Sequence, residues 1–350
     1  MTMARVMIVG GAGYVGSILC RELLERGYAL VVVDRLYFGD IGLREIHDRV
    51  TLKMKDMRTL SESDFEGIDS VLNLGGLSND PTAEHNPKAN QEMNTVASIT
   101  LAKLAKKAGV ARYIFASSAS IYDRGVFVEE DDVVLNEQSE VYPKAAYSTS
   151  KLEAEKGLLQ LKDRNFCVVI VRKGTIYGFS PRMRYDLVVN TFVKNALLNG
   201  KVTAFYGGEM WRPLVDIHDV ARAYHACLQA PSEKLNGELF NVSYKNFRIS
   251  EVALRVSRAL LDIGIPCEIE ADYRYHGVRS YRVSTKKIKA ILGWEAVVSI
   301  EESVKNMVEQ IRTRGMTDFD NPRYYNIAWM KILEETQGIT GAPRSIWEPI

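Results

Sequence analysis

The stretch "RVMIVGGAGYVGSILCRELLERGYALVVVD" constrains the fold more than any other part of this 350-residue chain. A β-branched apolar run ends in glycine, an apolar helical repeat follows and stops at Gly27, and a second apolar run ends at Asp34. Runs that are apolar on both faces belong to parallel strands covered on each side by helices. The rhythm continues through the strand "SVLNLGG", the helix "TVASITLAKLAKKAG" with Gly109 at its end, and the strand "ARYIFASS". A helix starting near Ala146, the strand "CVVIVR" and, much later, the strand "GELFNVS" complete it. Alternation of this kind predicts an α/β fold with a doubly wound parallel sheet of the Rossmann type.

Within the first turn, Gly10, Gly13 and Gly16 recur at three-residue intervals between strand and helix. Glycine there allows a tight turn and lets backbone N–H groups reach a pyrophosphate at the helix N-terminus. Asp34, about twenty residues on and ending the second strand, can accept from both ribose hydroxyls and repels a 2′-phosphate. Arg35 beside it could hold the phosphate of NADP, so NAD is the favoured cofactor and NADP the less favoured. Asp56 in "KMKDMR", after the third strand, could accept from the adenine amino group or be a solvated loop acid.

From about Lys173 the rhythm breaks into helices and loops rich in arginine. The expected organisation is a cofactor domain over 1–172, with 214–243 returning to the sheet. A smaller C-terminal substrate-binding lobe covers 173–213 and 244–313, followed by an extension over 314–350. The extension holds Tyr324, Tyr325, Trp329 and Trp347, too aromatic for a disordered tail, and is expected to pack on the body or on a partner subunit.

Apolar content of 46% and charged content of 25% are those of a soluble globular protein. A net charge of +1 gives no reason to expect nucleic acid or a membrane as partner. Cys20, Cys167, Cys227 and Cys267 lie far apart without a C-x-x-C, which suggests reduced thiols in a cytoplasmic protein and no metal site. "MTMARVMIVGG" enters a strand almost at once, with no signal peptide, and no apolar run approaches membrane-spanning length.

"AYSTSK" puts Tyr147 and Lys151 on one helix face, about 5–6 Å apart. Alone, such a pair is an ordinary exposed one, or a phenol whose pKa the cation lowers until it can pass a proton near neutral pH. Three further features bear on it: the Gly-x-x-Gly-x-x-Gly turn, "SSASIY" ending a middle strand, and "WRPLVDIHDVARA". With "NLGGLSNDP" and "VRKGTIYG", this combination resembles the extended short-chain dehydrogenase/reductase family, and within it the nucleotide-sugar epimerases and dehydratases. The resemblance runs from about Met3 to about Met307, with Val9 standing where relatives often carry threonine.

The resemblance implies an enzyme that removes a hydride and a hydroxyl proton from a sugar bound to a nucleoside diphosphate. Tyr147 would be the base, Lys151 would lower its pKa and hold the nicotinamide ribose, and Ser118 would orient the reacting oxygen. Asn94 would support the helix or a water near the site, and Tyr14, Val15, Met57, Leu74, Gly75 and Gly76 would complete the cofactor contacts. On the substrate side, Ser78, Asn79 and Asp80 could meet sugar hydroxyls, with Ser120 and Thr175 close by; Asp186 and Leu187 could lie against the base. One or two of Arg182, Arg184, Arg212, Arg274 and Arg279 would serve the diphosphate, Arg212 having the best claim by motif. His218, inside the same motif, reads as structural.

In the family's 4,6-dehydratases two acids follow the serine; here Ala119 and Ser120 stand there, so loss of water is not expected. A 3,5-epimerase carries a cysteine where Ser120 stands. What remains is reversible oxidation at C4: a 4-epimerase first, a 4-dehydrogenase or 4-ketoreductase as alternative, and a non-catalytic NAD(P) sensor as a remote one. Relatives pair the helices holding Leu101, Leu104, Leu152 and Leu159, so a homodimer is expected.

Overall fold

Side chains alternate across the strand β1 (Arg5–Val9), Val6 and Ile8 on one face, Met7 and Val9 on the other, and all four are buried. The computed structural model describes residues 3–123, 133–274, 280–340 and 345–349. In it β1 lies inside a seven-stranded parallel sheet with β2 (Ala29–Asp34), β3 (Val50–Met54), β4 (Ser70–Asn73), β5 (Arg112–Ser118), β6 (Cys167–Lys173) and β7 (Leu239–Val242). The strand order is β7-β6-β5-β4-β1-β2-β3. The order reverses at β1, which opens a crevice beyond the carboxyl ends of β1 and β4.

The two faces have separate cores. Val6, Ile8, Val32, Ile114 and Val169 pack under α1 (Tyr14–Glu25) and a helix over Ile217–Gln229. Met7, Val31, Val33, Phe115 and Ile170 pack under α2 (Ala97–Lys107) and α3 (Ala146–Leu159). Each such side chain contributes roughly 1.5–3 kcal/mol by leaving water. Leu101 is fully buried in this second core, so it covers its own sheet and offers nothing to a partner. A π turn over Gln91–Val96 precedes α2, so Asn94 lies in the widened turn.

Beyond Lys173 the expectation of helices and loops is too simple. Thr175–Tyr177, Trp211–Asp216 and Lys245–Arg248 form a three-stranded sheet, and Lys201–Phe205 pairs with Glu268–Asp272. These strands are short and carry polar residues, so no continuous apolar run announces them. The helices Val188–Asn199, Ile249–Leu261 and Ile300–Thr313 accompany them.

The C-terminal extension packs on the body. Its helix α4 (Asn326–Thr340) and Trp347 close over Leu77, Ala89 and Met93. Trp329 Nε1 donates to the Tyr37 carbonyl at 2.6 Å, and the Tyr37 hydroxyl donates to the carbonyl of Ile346. Among the described residues no helix is long and apolar enough to cross a membrane. Cys20, Cys167 and Cys227 are buried, and Cys267 is half-buried; all four are free.

Candidate active site

A cavity of about 760 Å³ runs along the carboxyl ends of the sheet, from Asp34 and Tyr37 at one end to Arg212 and Tyr281 at the other. At its floor is the glycine turn. Gly10 has φ +78°, and a Cβ there would lie 3.0 Å from the Leu74 carbonyl; a Cβ on Gly16 would lie 2.3 Å from the Gly10 oxygen. Gly13, Val15, Met57, Leu74, Gly75 and Gly76 also line the cavity. The Tyr14 hydroxyl turns away into the core, donating to the Gly178 carbonyl at 2.7 Å and accepting from Asn190 Nδ2 at 3.1 Å. It fastens α1 to the arginine-rich half of the chain.

Asp34 accepts from the N–H groups of Ala12 at 2.9 Å and Leu36 at 2.8 Å. Burial pushes its carboxyl up, while these two donors and Arg182 pull it back. Arg35 is not free: Nη1 donates to Asp56 Oδ2 at 2.8 Å and to the Glu348 carbonyl at 2.6 Å. Asp56 accepts further from the Arg58 backbone N–H and guanidinium, and the two arginines hold its carboxyl below the usual range against the opposing effect of burial. Both its oxygens thus already accept from these two arginines.

Midway along the cavity, β5 ends at Ser118, whose Oγ accepts from the Ser120 N–H at 3.1 Å. Ser118 is also hydrogen-bonded to Tyr147, in the first turn of α3, and Lys151 follows one turn later. The Lys151 ammonium lies 5.9 Å from the centre of the Tyr147 ring. The expectation that Lys151 lowers the Tyr147 pKa needs correction. Burial pushes the phenol up to about 12, and what pulls it down is Arg184 and the Ser118 hydrogen bond. Lys151 is itself buried and pushed down to about 8, so it holds much less than a full positive charge near that pH.

Lys173 is a residue that the sequence reading missed. It ends β6, and Nζ donates to the Ser117 carbonyl at 2.8 Å, with the Tyr224 hydroxyl at 3.3 Å. Burial and the nearby Lys151 push its pKa well down. A lysine closing an apolar strand, "CVVIVRK", was the available signal. Behind the site, Arg172 grips Glu155 on α3 through Nε at 3.1 Å and Nη2 at 2.6 Å, and Ser117 also donates to Glu155. Asn94 too stands behind the wall, its Nδ2 donating to the Leu77 carbonyl at 3.0 Å and to Ser150 Oγ at 3.2 Å.

Ser78, Asn79, Asp80, Ser120, Thr175, Arg182, Arg184, Asp186, Leu187 and Arg212 also line the cavity. Arg184 makes a two-point contact with Asp186 at 2.9 and 2.8 Å, and Asn79 Nδ2 donates to the same carboxylate at 3.0 Å. The Ser120 hydroxyl is buried without a partner among the described residues. Arg212 donates to its neighbour's carbonyl, Trp211 O, and lies 5.5 Å from the Tyr281 ring. Arg274 pairs with Asp272 on the exposed surface, away from the cavity. Arg279 lies outside the described residues. Tyr37, Phe38, Tyr325, Asn326, Ile327 and Met330 also line the cavity. No local motif marks them: Tyr37 and Phe38 stand in the loop after β2, and the other four reach the cavity through long-range packing of the extension.

A doubly wound sheet with a glycine turn at one end of its crevice and a serine, tyrosine and lysine at the middle defines a nucleotide-cofactor type of site. The chain belongs to the NAD dependent epimerase/dehydratase family, whose model matches residues 6–243. It is 26% identical over 325 residues to a UDP-N-acetyl-alpha-D-glucosaminuronate decarboxylase of Bacillus cytotoxicus, covering 88% of this chain and 98% of the relative. It is 27% identical over 324 residues to a UDP-glucose 4-epimerase of Halalkalibacterium halodurans, covering 87% and 93%. Among solved structures, the UDP-glucose 4-epimerase of Thermotoga maritima with UDP-glucose superimposes with a TM-score of 0.77 at 24% identity, over 89% of this chain and 99% of that one. At that identity the likeness is one of fold.

Proposed function

We propose that the protein is an NAD-dependent 4-epimerase of a nucleoside-diphosphate sugar, acting through a 4-keto intermediate. The observation that carries this reading is the cluster of Ser118, Tyr147 and Lys151 in a cavity where positions 119 and 120 offer only a methyl group and a hydroxyl. The glycine turn fits a dinucleotide, since a Cβ at Gly10 or Gly16 would run into the backbone of Leu74 and Gly75 or of the turn itself and prevent the tight turn whose N–H groups can meet a pyrophosphate. Bound NAD would supply a hydride acceptor and donor and the positive charge of its nicotinamide ring. Tyr147 takes the C4 hydroxyl proton as the hydride leaves and gives it back when the hydride returns to the opposite face. Ser118 holds the same oxygen, and Lys151 holds the ribose. Among the described residues the carboxylates lining the cavity are Asp34, Asp56, Asp80 and Asp186, none in the two positions after Ser118.

NAD is preferred to NADP because Asp34 faces the ribose position, while Arg35 is held by Asp56 and the Glu348 carbonyl. The active form is proposed to be a homodimer through α2 and α3, where Val96 is 55% exposed and Leu104, Leu152 and Leu159 are half-buried.

Arg184 favours one second reading. Its charge acts on Tyr147, so an anionic group at C6 of the sugar would meet it. Oxidation of a nucleotide-linked uronate at C4 creates a β-keto acid, from which carbon dioxide leaves as the C5–C6 bond breaks and C5 takes a proton. Incubation with NAD and UDP-, GDP-, CDP-, ADP- and dTDP-sugars, followed by mass spectrometry and NMR, tests both. Unchanged mass with inverted C4 is expected; a product lighter by carbon dioxide supports the second reading, one differing by two hydrogens a dehydrogenase or ketoreductase. Loss of water would overturn all of these.

A further inference from the structure

Arg182 is a buried guanidinium without a counter-ion of its own. It is 4% exposed, Nη2 donates to Asn326 Oδ1 at 2.6 Å, and its charged carbon lies 3.7 Å from the centre of the Phe38 ring. Nε and Nη1 have no partner among the described residues. Burial and the neighbouring Arg184 push its pKa down to about 9, with Asp186 and Asp34 attracting it but forming no ion pair. A charge held this way destabilises the fold until an anion meets it.

Two diphosphates would enter this cavity under the proposed function, one of the cofactor and one of the sugar nucleotide. The neighbours of Arg182 decide between them. Phe38 stands shortly after Asp34, at the end of β2, and both Asp34 and Tyr14 of the glycine turn interact with Arg182 electrostatically. Arg184, two residues on, reaches toward Tyr147 instead. We propose that Arg182 binds the cofactor's diphosphate opposite the glycine turn, its unpartnered Nε and Nη1, on different edges of the guanidinium, donating to separate phosphate oxygens. Through Asn326, the same arginine ties the first residue of α4 to the bound cofactor. This rests on the reading of the cavity as an NAD site and moves Arg182 from the arginines expected to serve the sugar nucleotide to the cofactor.

Arg182→Met keeps an unbranched stem against Phe38 and removes every donor. Calorimetric titration of the full-length, cofactor-stripped protein with NAD and ADP-ribose should show dissociation constants roughly 10- to 100-fold weaker than wild type. UDP, titrated in saturating NAD, should bind as before. Arg182→Lys, which keeps the charge and loses the guanidinium's spread of donors, should fall between the two. Without cofactor, Arg182→Met should melt at or above the wild-type temperature, because the unpaired charge is gone, while NAD raises its melting temperature less than that of wild type. Unchanged NAD affinity would overturn the assignment, as would a loss confined to UDP, which would return the arginine to the sugar nucleotide. A wild-type protein that binds UDP and no NAD would overturn the cofactor reading itself.

Discussion

Without cofactor, burial pushes the Tyr147 pKa to about 12 against Arg184 and the Ser118 hydrogen bond, so its proposed role as proton acceptor would rest on the added positive charge of a bound nicotinamide ring. Replacing Tyr147 by Phe keeps the ring and removes the proton acceptor, so turnover should fall by roughly 10²–10⁴-fold while NAD still binds. Steady-state rates and a parallel titration check this; near-normal turnover would remove Tyr147 from the mechanism. Lys151 gives a pH signature. Its folded pKa of about 8 lies below the unfolded value of 10.5, so between those two pH values the unfolded chain binds more protons than the folded one. Stability from this group therefore rises with pH through that window, and its penalty is fully present below about pH 8. Without cofactor, wild type should gain on Lys151→Met by on the order of 3 kcal/mol from pH 7.5 to 10.5 in urea titrations. A constant difference between the two would show that Lys151 is not desolvated.

At the scale of elements, α3 is anchored by a polar network instead of an apolar stripe. Its buried side chains include Ser148, Ser150, Lys151 and Glu155. Glu155 meets Arg172 of β6 and Ser117 of β5, and Arg172 also reaches the Tyr122 hydroxyl at 2.8 Å. Glu155→Gln leaves the Arg172 charge buried and unpaired, which should cost about 3–5 kcal/mol. The double change Glu155→Met with Arg172→Met should recover most of that in denaturant titrations; no recovery would mean that the loss came from packing. The extension is a second element with a readable role. Its carbonyls at Trp347 and Glu348 accept from Arg58 at 2.7 Å and Arg35 at 2.6 Å. A chain lacking residues 345–350 frees part of the Arg35 guanidinium, so its affinity for NADP relative to NAD should rise several-fold, read by competitive titration. An unchanged ratio would assign the preference to Asp34 alone.

The whole molecule joins a parallel sheet to an arginine-rich half through the cavity they share. Tyr14 on α1 bonds to Gly178 and Asn190, and Arg182 bonds to Asn326 of the extension, so closure around the cavity involves three separate stretches of chain. The expected pairing of α2 and α3 across a dimer axis draws on Val96 and half-buried leucines, without Leu101. Light scattering at micromolar concentration should therefore give twice the chain mass, and Val96→Asp should shift it toward the monomer. A monomeric wild type would exclude the dimer.

The sheet, the glycine turn, Asp34 and the serine, tyrosine and lysine cluster were legible in the residues themselves, because each depends on local periodicity or on a fixed spacing along one element. α3 was recognisable by Tyr147 and Lys151, although its buried face is too polar for periodicity to reveal how it packs. The charge state of Tyr147, the capture of Arg35 and Asp56, the burial of Lys173 and the orphaned donors of Arg182 were decided only in three dimensions. Desolvation and ion pairing depend on which distant segments come together. Here those segments are β6, the loop after Thr175–Tyr177 and a C-terminal strap, brought within a few ångströms by contacts that no spacing along the chain encodes.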